Sequence, residues 1–281
     1  MRIRLASVAF EQRHLTAFAE FHTALRQHVL FAADCGAQLI VFPEYVTSSL
    51  LNINNDWNAW TSAYQECLQQ LATEFKIYIQ GGTHLCLDKS NHWVNAAFFV
   101  NPTGAIQQQN KMHLTPVEKS PWELKVGEGL KIFHTQIGKI AILTCYDIEF
   151  PIAAQAAARA GADILLVPSF TDDRAGYYRV SLCARARCIE NQLYVVQAPL
   201  IGNLESVRYF EQAFGKANIF TPCDIAFPAA GVLAEGEFNE EICVVGEIDL
   251  GLLHEIRECG SVTPIKDAKP VEHYTTHLTN F

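Results

Sequence analysis

Short apolar runs rich in β-branched residues alternate with longer stretches of helical periodicity along this 281-residue chain. Such alternation is typical of β/α units, in which helices cover the faces of a largely parallel sheet. The sequence predicts strands over residues 3–10, 39–42, 77–80, 94–101, 105–109, 130–134, 139–144, 163–167, 193–197, 218–220 and 242–248. The periodic stretches predict helices over residues 15–35, 57–75, 176–191 and 250–258, with another beginning at Pro151. We therefore expect an α/β fold.

The composition is that of a chain able to bury a large core. Hydrophobic residues make up 49% of the sequence, and no Ser/Gly-rich linker, long charge run, repeat or low-complexity segment divides it. We expect residues 1–281 to form a single domain. Residues 260–281 have little periodicity, so we expect them to form a C-terminal extension of that domain.

Charge and hydropathy exclude several classes of partner. The formal net charge of −9 argues against a nucleic-acid partner, which would require a basic surface. No apolar run reaches the ~18 residues of a membrane span, and the N-terminal run is too short for a signal peptide. The nine cysteines lack paired Cys-x-x-Cys spacing, which favours a reducing cytoplasmic location over a disulfide-stabilised secreted domain.

The sequence contains no signal for a metal or an organic cofactor. Its ten histidines are scattered, without the spacing of metal ligands. Gly81 and Gly82 are expected to form a turn, since no Gly-x-Gly-x-x-Gly or Walker pattern surrounds them. We therefore expect neither a metal nor a cofactor.

Cys145 lies between a predicted buried strand, residues 139–144, and the helix expected to begin near Pro151. At a sharp turn from a strand into a helix, backbone N–H groups point outward and can stabilise a developing oxyanion. Cys145 is therefore a candidate nucleophile.

Two further segments carry charged residues at predicted strand ends. Glu44 follows the apolar strand 39–42 directly after Pro43, where α/β proteins often place their chemistry. Lys111 follows the strand 105–109. A carboxylate, an ammonium group and a thiol together could supply a base, a cation and a nucleophile.

Three segments of the chain resemble motifs of the nitrilase superfamily of carbon–nitrogen hydrolases. They are Phe-Pro-Glu-Tyr at 42–45, Asn-Lys-Met-His-Leu at 110–114 and Thr-Cys-Tyr-Asp-Ile-Glu-Phe-Pro at 144–151. The segment 185–196 is similar to a later helix-to-strand segment of that superfamily, so the resemblance covers nearly the whole chain. Segments 114–119 and 170–177 look most like a little-characterised branch that is sometimes fused to an acetyltransferase domain. We expect no such domain within these 281 residues.

The resemblance implies a fold, a reaction and an assembly. The fold is a four-layer α-β-β-α sandwich, and the assembly is a homodimer or a higher homo-oligomer. The reaction is cleavage of a non-peptide C–N bond in a small amide. Cys145 would be the nucleophile, Glu44 the base, and Lys111 the support for thiolate and oxyanion. We also expect Lys111 and backbone N–H groups to lower the pKa of the Cys145 thiol.

Other residues of the site are expected to assist. The resemblance implies an auxiliary carboxylate, for which Glu118 is the best match, with Glu123 and Glu128 close by in sequence. It also implies that the backbone N–H of Tyr146 is a second oxyanion donor. His113 is expected to be structural, because Lys111 matches the family motif.

The sequence constrains the substrate less tightly than the reaction. Tyr45, Tyr146 and Tyr177 could bound an aromatic pocket. Arg174 could pair with a substrate carboxylate and Asp172 or Asp173 with an amine, or an Arg–Asp pair could form within the rim itself. Amide hydrolysis is the expected activity, with a nitrilase or a carbamoylase as less favoured reactions. Acyl transfer to an amine and a non-catalytic binding protein on the same fold are the alternatives.

Overall fold

Strands and helices alternate through the computed structural model, which describes residues 1–270 and residue 273. The strands in this part of the chain are β1 Arg2–Glu11, β2 Leu39–Val41, β3 Tyr78–Leu87, β4 Trp93–Val100, β5 Ile106–Asn110, β6 Phe133–Thr135, β7 Gly138–Ile142, β8 Ile164–Ser169, β9 Tyr194–Ile201, β10 Asn218–Phe220, β11 Val232–Glu235 and β12 Ile242–Asp249. The helices are α1 Phe18–Asp34, α2 Thr61–Phe75, α3 Pro116–Lys119, α4 Pro151–Arg159, α5 Arg174–Asn191, α6 Leu250–Cys259 and α7 Pro264–Asp267. Short 3-10 helices span Ser48–Asn52, Trp57–Trp60 and Cys145–Glu149. None of the helices described has both the length and the hydrophobicity needed to cross a membrane.

The strands form two six-stranded sheets with the same pattern of pairing. The first sheet has the order β12-β1-β2-β3-β4-β5 and the second has the order β6-β7-β8-β9-β10-β11. The strands β1, β2 and β3 of the first sheet are parallel to one another, and so are β7, β8 and β9 of the second. The outer pairings of both sheets are antiparallel. A short parallel pairing of Phe10 with Leu200 and of Glu11 with Ile201 joins the sheets through β1 and β9.

Successive side chains of a strand point to opposite faces of the sheet. The buried apolar side chains therefore form three separate layers. In β2 and the residue after it, Leu39 and Val41 lie in a core that contains residues of both sheets, including Ile142 of β7. Ile40 and Phe42 face the opposite way and pack with residues of α1 and α2. A third core lies between the second sheet and the helices α4 and α5. Two sheets packed face to face with helices outside confirm the predicted α-β-β-α sandwich.

The predicted turn at Gly81 and Gly82 was wrong, because β3 continues through both glycines with an irregularity in its pairing to β4. Gly82 has φ +67°, and a Cβ placed there would lie 2.0 Å from the carbonyl oxygen of Pro43. The backbone N–H of Thr83 donates to that same carbonyl at 3.1 Å. Glycine at this irregularity therefore allows β3 to approach the segment that ends in Glu44.

Part of the predicted C-terminal extension packs beside the helices of the second sheet. The carbonyl of Val262 accepts a hydrogen bond from the Gln192 side chain at 3.2 Å, and that of Ala268 accepts one from Arg159 at 3.4 Å. The helix α7 also lies in this segment. The apolar tail residues Val271, Tyr274, Leu278 and Phe281 lie outside the described residues.

Candidate active site

Cys145 occupies the turn that the sequence predicts, between β7 and α4, as the first residue of the 3-10 helix Cys145–Glu149. Its backbone has φ +47°, a left-handed conformation that is rare for residues other than glycine. The residue is 5% exposed, and its Sγ donates to the carbonyl of Phe170 at 3.2 Å. Strained backbone at a buried thiol is the kind of local geometry that clusters at functional sites.

Glu44 lies just beyond β2 and is 1% exposed. Its Oε1 is 2.8 Å from Lys111 Nζ, and its Oε2 accepts a hydrogen bond from the backbone N–H of Phe170 at 3.1 Å. The Cys145 side chain also interacts with the Glu44 carboxylate. The fold thus brings Glu44, Lys111 and Cys145 together, although they are far apart in the sequence.

Lys111 is held between two carboxylates. Its Nζ lies 2.8 Å from Oε2 and 2.9 Å from Oε1 of Glu118, in addition to its contact with Glu44. The backbone N–H of Thr115 donates to Glu118 Oε2 at 2.7 Å and orients that carboxylate at the start of α3. The alternatives Glu123 and Glu128 are both exposed. Of the three, the structure therefore places Glu118 beside the lysine.

Asn95 is a further member of the site, which none of the sequence motifs predicts. Its Nδ2 donates to Oε1 of Glu44 at 2.9 Å and to Oε1 of Glu118 at 3.0 Å. The phenolic hydroxyl of Tyr45 also donates to Glu118. The available signal was an amide residue within the apolar strand Trp93–Val100, because a buried polar side chain requires partners.

Burial and charge shift the pKa values of Glu44 and Glu118 in opposite directions. Burial raises the pKa of Glu44 to about 7, against the attraction of Lys111 and with a further contribution from the charge of Glu118. Burial acts in the same direction on Glu118, but the charge and hydrogen bonds of Lys111 hold the pKa of Glu118 below its usual value. Burial disfavours the ammonium form of Lys111, yet the two carboxylates outweigh it and raise the pKa of Lys111. Lys111 is therefore charged, and Glu118 is its permanent counter-ion.

The expected lowering of the thiol pKa was wrong. Burial raises the pKa of Cys145 well above its usual value, and the neighbouring charge of Glu44 raises it further. Lys111 acts in the opposite direction, but its ammonium group is already paired with Glu44 and Glu118. The thiol is thus neutral at rest, and it needs an adjacent base to become a nucleophile.

A cavity of about 710 Å³ opens onto these groups. Tyr45, Tyr146 and Asp172 line it, as the sequence analysis expected for a pocket, but Tyr177 does not. The cavity lining consists of Glu44, Tyr45, Lys111, Thr115, Pro116, Val117, Glu118, Trp122, Cys145, Tyr146, Glu149, Phe170, Thr171, Asp172, Asp173, Arg179, Val180, Tyr209, Glu211 and Gln212.

The placement of Arg174 in the pocket was wrong. Arg174 is the first residue of α5, and its guanidinium lies over the rings of Tyr178 and Phe238, 6.0 and 5.5 Å from their centroids. Within the described residues it forms no ion pair with Asp172 or Asp173. The arginine that does line the cavity is Arg179, five residues further along the same helix.

Asp147 and His113 have structural partners. The His113 ring lies 2.9 Å from the Asp147 carboxylate and stacks on Phe150 with centroids 3.7 Å apart. These contacts agree with the structural role expected for His113. No group of three or more His, Cys, Asp or Glu side chains in the described part of the chain is arranged to hold a metal ion.

The site is divided between the two sheets. Glu44 and Lys111 follow β2 and β5 of the first sheet, whereas Cys145 and Phe170 follow β7 and β8 of the second. Strand ends of both sheets therefore meet at one edge of the sandwich, and the cavity opens there.

The sequence matches the carbon–nitrogen hydrolase family over residues 4–258. This chain belongs to that family. It is 33% identical to the probable hydrolase YhcX of Bacillus subtilis over 276 residues, which cover 95% of this chain and 54% of YhcX. The chain thus spans about half the length of that relative.

Two further comparisons relate this carbon–nitrogen hydrolase chain to a protein of Saccharomyces cerevisiae. It is 30% identical to the omega-amidase NIT3 of Saccharomyces cerevisiae over 70% of this chain and 67% of the yeast protein. The crystal structure of Saccharomyces cerevisiae Nit3, a member of branch 10 of the nitrilase superfamily, superimposes with a TM-score of 0.75. That superposition covers 92% of this chain and 93% of the yeast chain at 24% identity. The family and the fold expected from the sequence are confirmed.

Proposed function

We propose that this protein hydrolyses a small amide through a thioester on Cys145, without a metal or an organic cofactor. The observation that carries the proposal is the buried arrangement in which Lys111 bridges Glu44 and Glu118 beside the strained Cys145 turn. An amide carbon is a poor electrophile, so its attack requires a nucleophile, a proton carrier and stabilisation of the oxyanion. Each of these is available within the cavity.

In the first half-reaction, Glu44 accepts the thiol proton as Cys145 Sγ bonds to the carbonyl carbon. The ammonium group of Lys111 and the backbone N–H of Tyr146 stabilise the oxyanion that forms. The C–N bond then breaks, and Glu44 returns the proton to the departing amine. A thioester on Cys145 remains.

In the second half-reaction, Glu44 takes a proton from a water molecule, whose oxygen attacks the thioester carbon. The C–S bond breaks, the carboxylic acid leaves, and the proton returns to the Cys145 sulfur. The pKa of Glu44, raised to about 7, suits a group that must both accept and donate a proton near neutral pH. Glu118, whose pKa is lowered, holds Lys111 in place without competing for the proton.

The relatives support an amide as the substrate. The yeast relative is named an omega-amidase, and the Bacillus relative is named a probable hydrolase. Acyl transfer to an amine would use the same residues, so the accepting nucleophile is decided by which products form.

The test uses Cys145→Ala and Cys145→Ser with a panel of small amides, carbamoyl compounds and nitriles, and ammonia release is measured. We expect both variants to fold and to lose turnover, because alanine has no nucleophile and a serine hydroxyl is a weaker one. Cys223→Ala, which removes an exposed thiol outside the cavity, is the matched control and should retain turnover. Mass spectrometry of the unsubstituted protein with a slow substrate should find the acyl group on Cys145. Turnover retained by Cys145→Ala would contradict the proposal.

We also infer a cytoplasmic location. All nine cysteines lie in the described part of the chain and all are free thiols, including the proposed nucleophile. Unpaired thiols persist in a reducing compartment and are oxidised in a secretory one. Fractionation of the native host followed by immunodetection would test the location, and recovery outside the cytoplasm would contradict it.

A further inference from the structure

The charged groups of the active-site cavity select for the charge of the substrate. We propose that the substrate is an amide that carries an ammonium group on a short aliphatic chain. This inference rests on the proposed amide hydrolysis and adds to it the chemical class of the substrate.

Outside the buried group formed by Glu44, Lys111 and Glu118, the cavity lining is strongly acidic. Its other charged residues are Glu149, Asp172, Asp173, Arg179 and Glu211. Arg179 Nε lies 2.8 Å from Glu149 Oε1, so these two charges offset each other. The carboxylates of Asp172, Asp173 and Glu211 remain without an offsetting cation in the lining. A substrate anion would be repelled by this surface, whereas a cation would be attracted.

Two hydrogen bonds connect the chain segments that carry two of these carboxylates. The backbone N–H of Phe214 donates to the carbonyl of Thr171 at 2.7 Å, and Thr171 Oγ1 donates to the carbonyl of Phe214 at 2.8 Å. The loop that carries Asp172 is therefore tied to the loop that carries Glu211. Neither of these two carboxylates forms an ion pair within the described residues, so both are available to a ligand.

Asp173 contributes charge but has a structural partner. Its carboxylate accepts a hydrogen bond from the backbone N–H of Gly176 at 2.6 Å and caps α5. We therefore assign the direct contact with the ammonium group to Asp172 and Glu211, with Asp173 adding to the negative potential.

The position of Asp172 sets the length of the substrate. Cys145 Sγ contacts the carbonyl of Phe170, and Asp172 is two residues further along the chain. Two residues span at most roughly 7 Å, so a short aliphatic spacer is long enough to join the amide carbon to the ammonium group. Trp122 also lines the cavity, and the face of an indole ring can attract a cation.

The experiment compares three amides of similar length and different charge: δ-aminovaleramide, hexanamide and adipamate. Ammonia release gives kcat/KM for each. We expect the kcat/KM of δ-aminovaleramide to exceed that of hexanamide by ~10-fold and that of adipamate by more, since each exposed carboxylate contributes modestly. The ratio of kcat/KM for δ-aminovaleramide to that for hexanamide should fall as salt is added, because screening weakens charge–charge attraction.

Asp172→Asn and Glu211→Gln remove the two assigned charges with little change in shape. We expect each to lower the ratio for δ-aminovaleramide over hexanamide by ~2–5-fold, and the double variant to lower it by ~10-fold. Glu66→Gln, which removes an exposed charge on α2 away from the cavity, should leave the ratio unchanged.

A binding measurement on an inactive variant tests the substrate class separately from the hydrolysis. Calorimetric binding to the Cys145→Ala protein should be tighter for δ-aminovaleramide than for hexanamide. If hexanamide or adipamate is hydrolysed at least as well as δ-aminovaleramide, the substrate class is wrong and amide hydrolysis stands. If the protein hydrolyses no amide, the proposed function fails and the inference fails with it. Equal binding of the charged and the neutral amide would overturn the inference in either case.

Discussion

Asp147 accepts a hydrogen bond from the backbone N–H of His113 at 2.7 Å. The other oxygen of the same carboxylate accepts one from the backbone N–H of Thr144 at 3.1 Å. His113 follows Lys111 by two residues, and Thr144 directly precedes Cys145. One buried carboxylate therefore ties the lysine segment of the first sheet to the cysteine turn of the second.

We predict that Asp147→Asn lowers both stability and turnover. The asparagine amide would place N–H groups against backbone N–H donors, which leaves a buried donor unsatisfied at a cost of ~1–3 kcal/mol. Loss of the tie should also shift Lys111 relative to Cys145 and lower kcat by ~10-fold, since small misplacements of reacting groups are costly. Urea unfolding and ammonia release measure the two effects. Asp34→Asn, an exposed change on α1, is the control, and an unchanged kcat for folded Asp147→Asn would refute the positioning role.

Glu44→Gln and Lys111→Met should each lower kcat by at least ~10²-fold. The first removes the base without changing its shape, and the second removes the cation that supports the oxyanion. Steady-state ammonia release measures the loss, and circular dichroism checks that each variant is folded. Near-normal kcat in either variant would show that the residue is not part of the chemistry.

Glu118→Gln should affect the reaction less than Glu44→Gln, or mainly through KM. Glutamine can still accept one hydrogen bond, but it removes the charge that pairs with Lys111 through both carboxylate oxygens. Glu123→Gln is the matched control, because Glu123 is exposed and lies in the same stretch of sequence. A severe defect in Glu123→Gln together with a silent Glu118→Gln would mean that the auxiliary carboxylate is wrongly assigned.

The pH dependence of kcat/KM and of stability should reflect the ionisation of Glu44. As the base, Glu44 must be ionised, so kcat/KM is expected to rise as pH increases through about 7. Stability should change in the opposite direction. Because the folded-state pKa is above the unfolded value of 4.5, the contribution of Glu44 to stability is present below pH 4.5 and is lost as pH rises to about 7.

Glu44→Gln provides the control for this pH dependence. The stability of the unsubstituted protein relative to Glu44→Gln should fall by on the order of 3 kcal/mol between those two pH values and then level off. Urea unfolding across the range measures the difference. A difference that does not change with pH would show that burial does not raise the pKa of Glu44.

We predict that the protein is at least a homodimer and that α5 forms part of the interface. This helix exposes several apolar side chains, among them Leu182, which is 57% exposed, Ile189 and Tyr178. Light scattering at low micromolar concentration should give at least twice the 31.4 kDa mass of the chain. Leu182→Glu should shift the mass toward the monomer, whereas Phe31→Glu, at an exposed apolar position on α1, should not. A monomer mass for the unsubstituted protein would exclude the dimer.

The sequence was sufficient to predict that Glu44, Lys111 and Cys145 would meet. Glu44 and Cys145 follow apolar strands and Lys111 follows a short polar one, and strand ends of a β/α fold converge at one edge, so their motifs predicted the placement. Glu118 could be named from its motif, but only its burial beside Lys111 separates it from Glu123 and Glu128.

Features that depend on burial or on side-chain direction could not be predicted in the same way. The raised pKa of Cys145 could not be predicted because the degree of burial of a turn residue is not visible in sequence. Arg174 was misplaced because the direction of a side chain at the start of a helix depends on where the helix begins. Asn95 was overlooked because its strand reads as apolar, and its partners lie on other segments of the chain.

The apolar layer between the two sheets sets the distance between the Glu44 carboxylate and the Cys145 sulfur in the proposed reaction. Val41 ends β2 three residues before Glu44, Ile142 ends β7 three residues before Cys145, and both side chains lie in that layer. The thickness of this packing therefore acts as a spacer that holds the proton acceptor at a set separation from the sulfur. A methylene group lost from the layer changes the geometry of a proton transfer as well as the free energy of unfolding. In this molecule the packing of the hydrophobic interior sets the distance over which the proton is transferred.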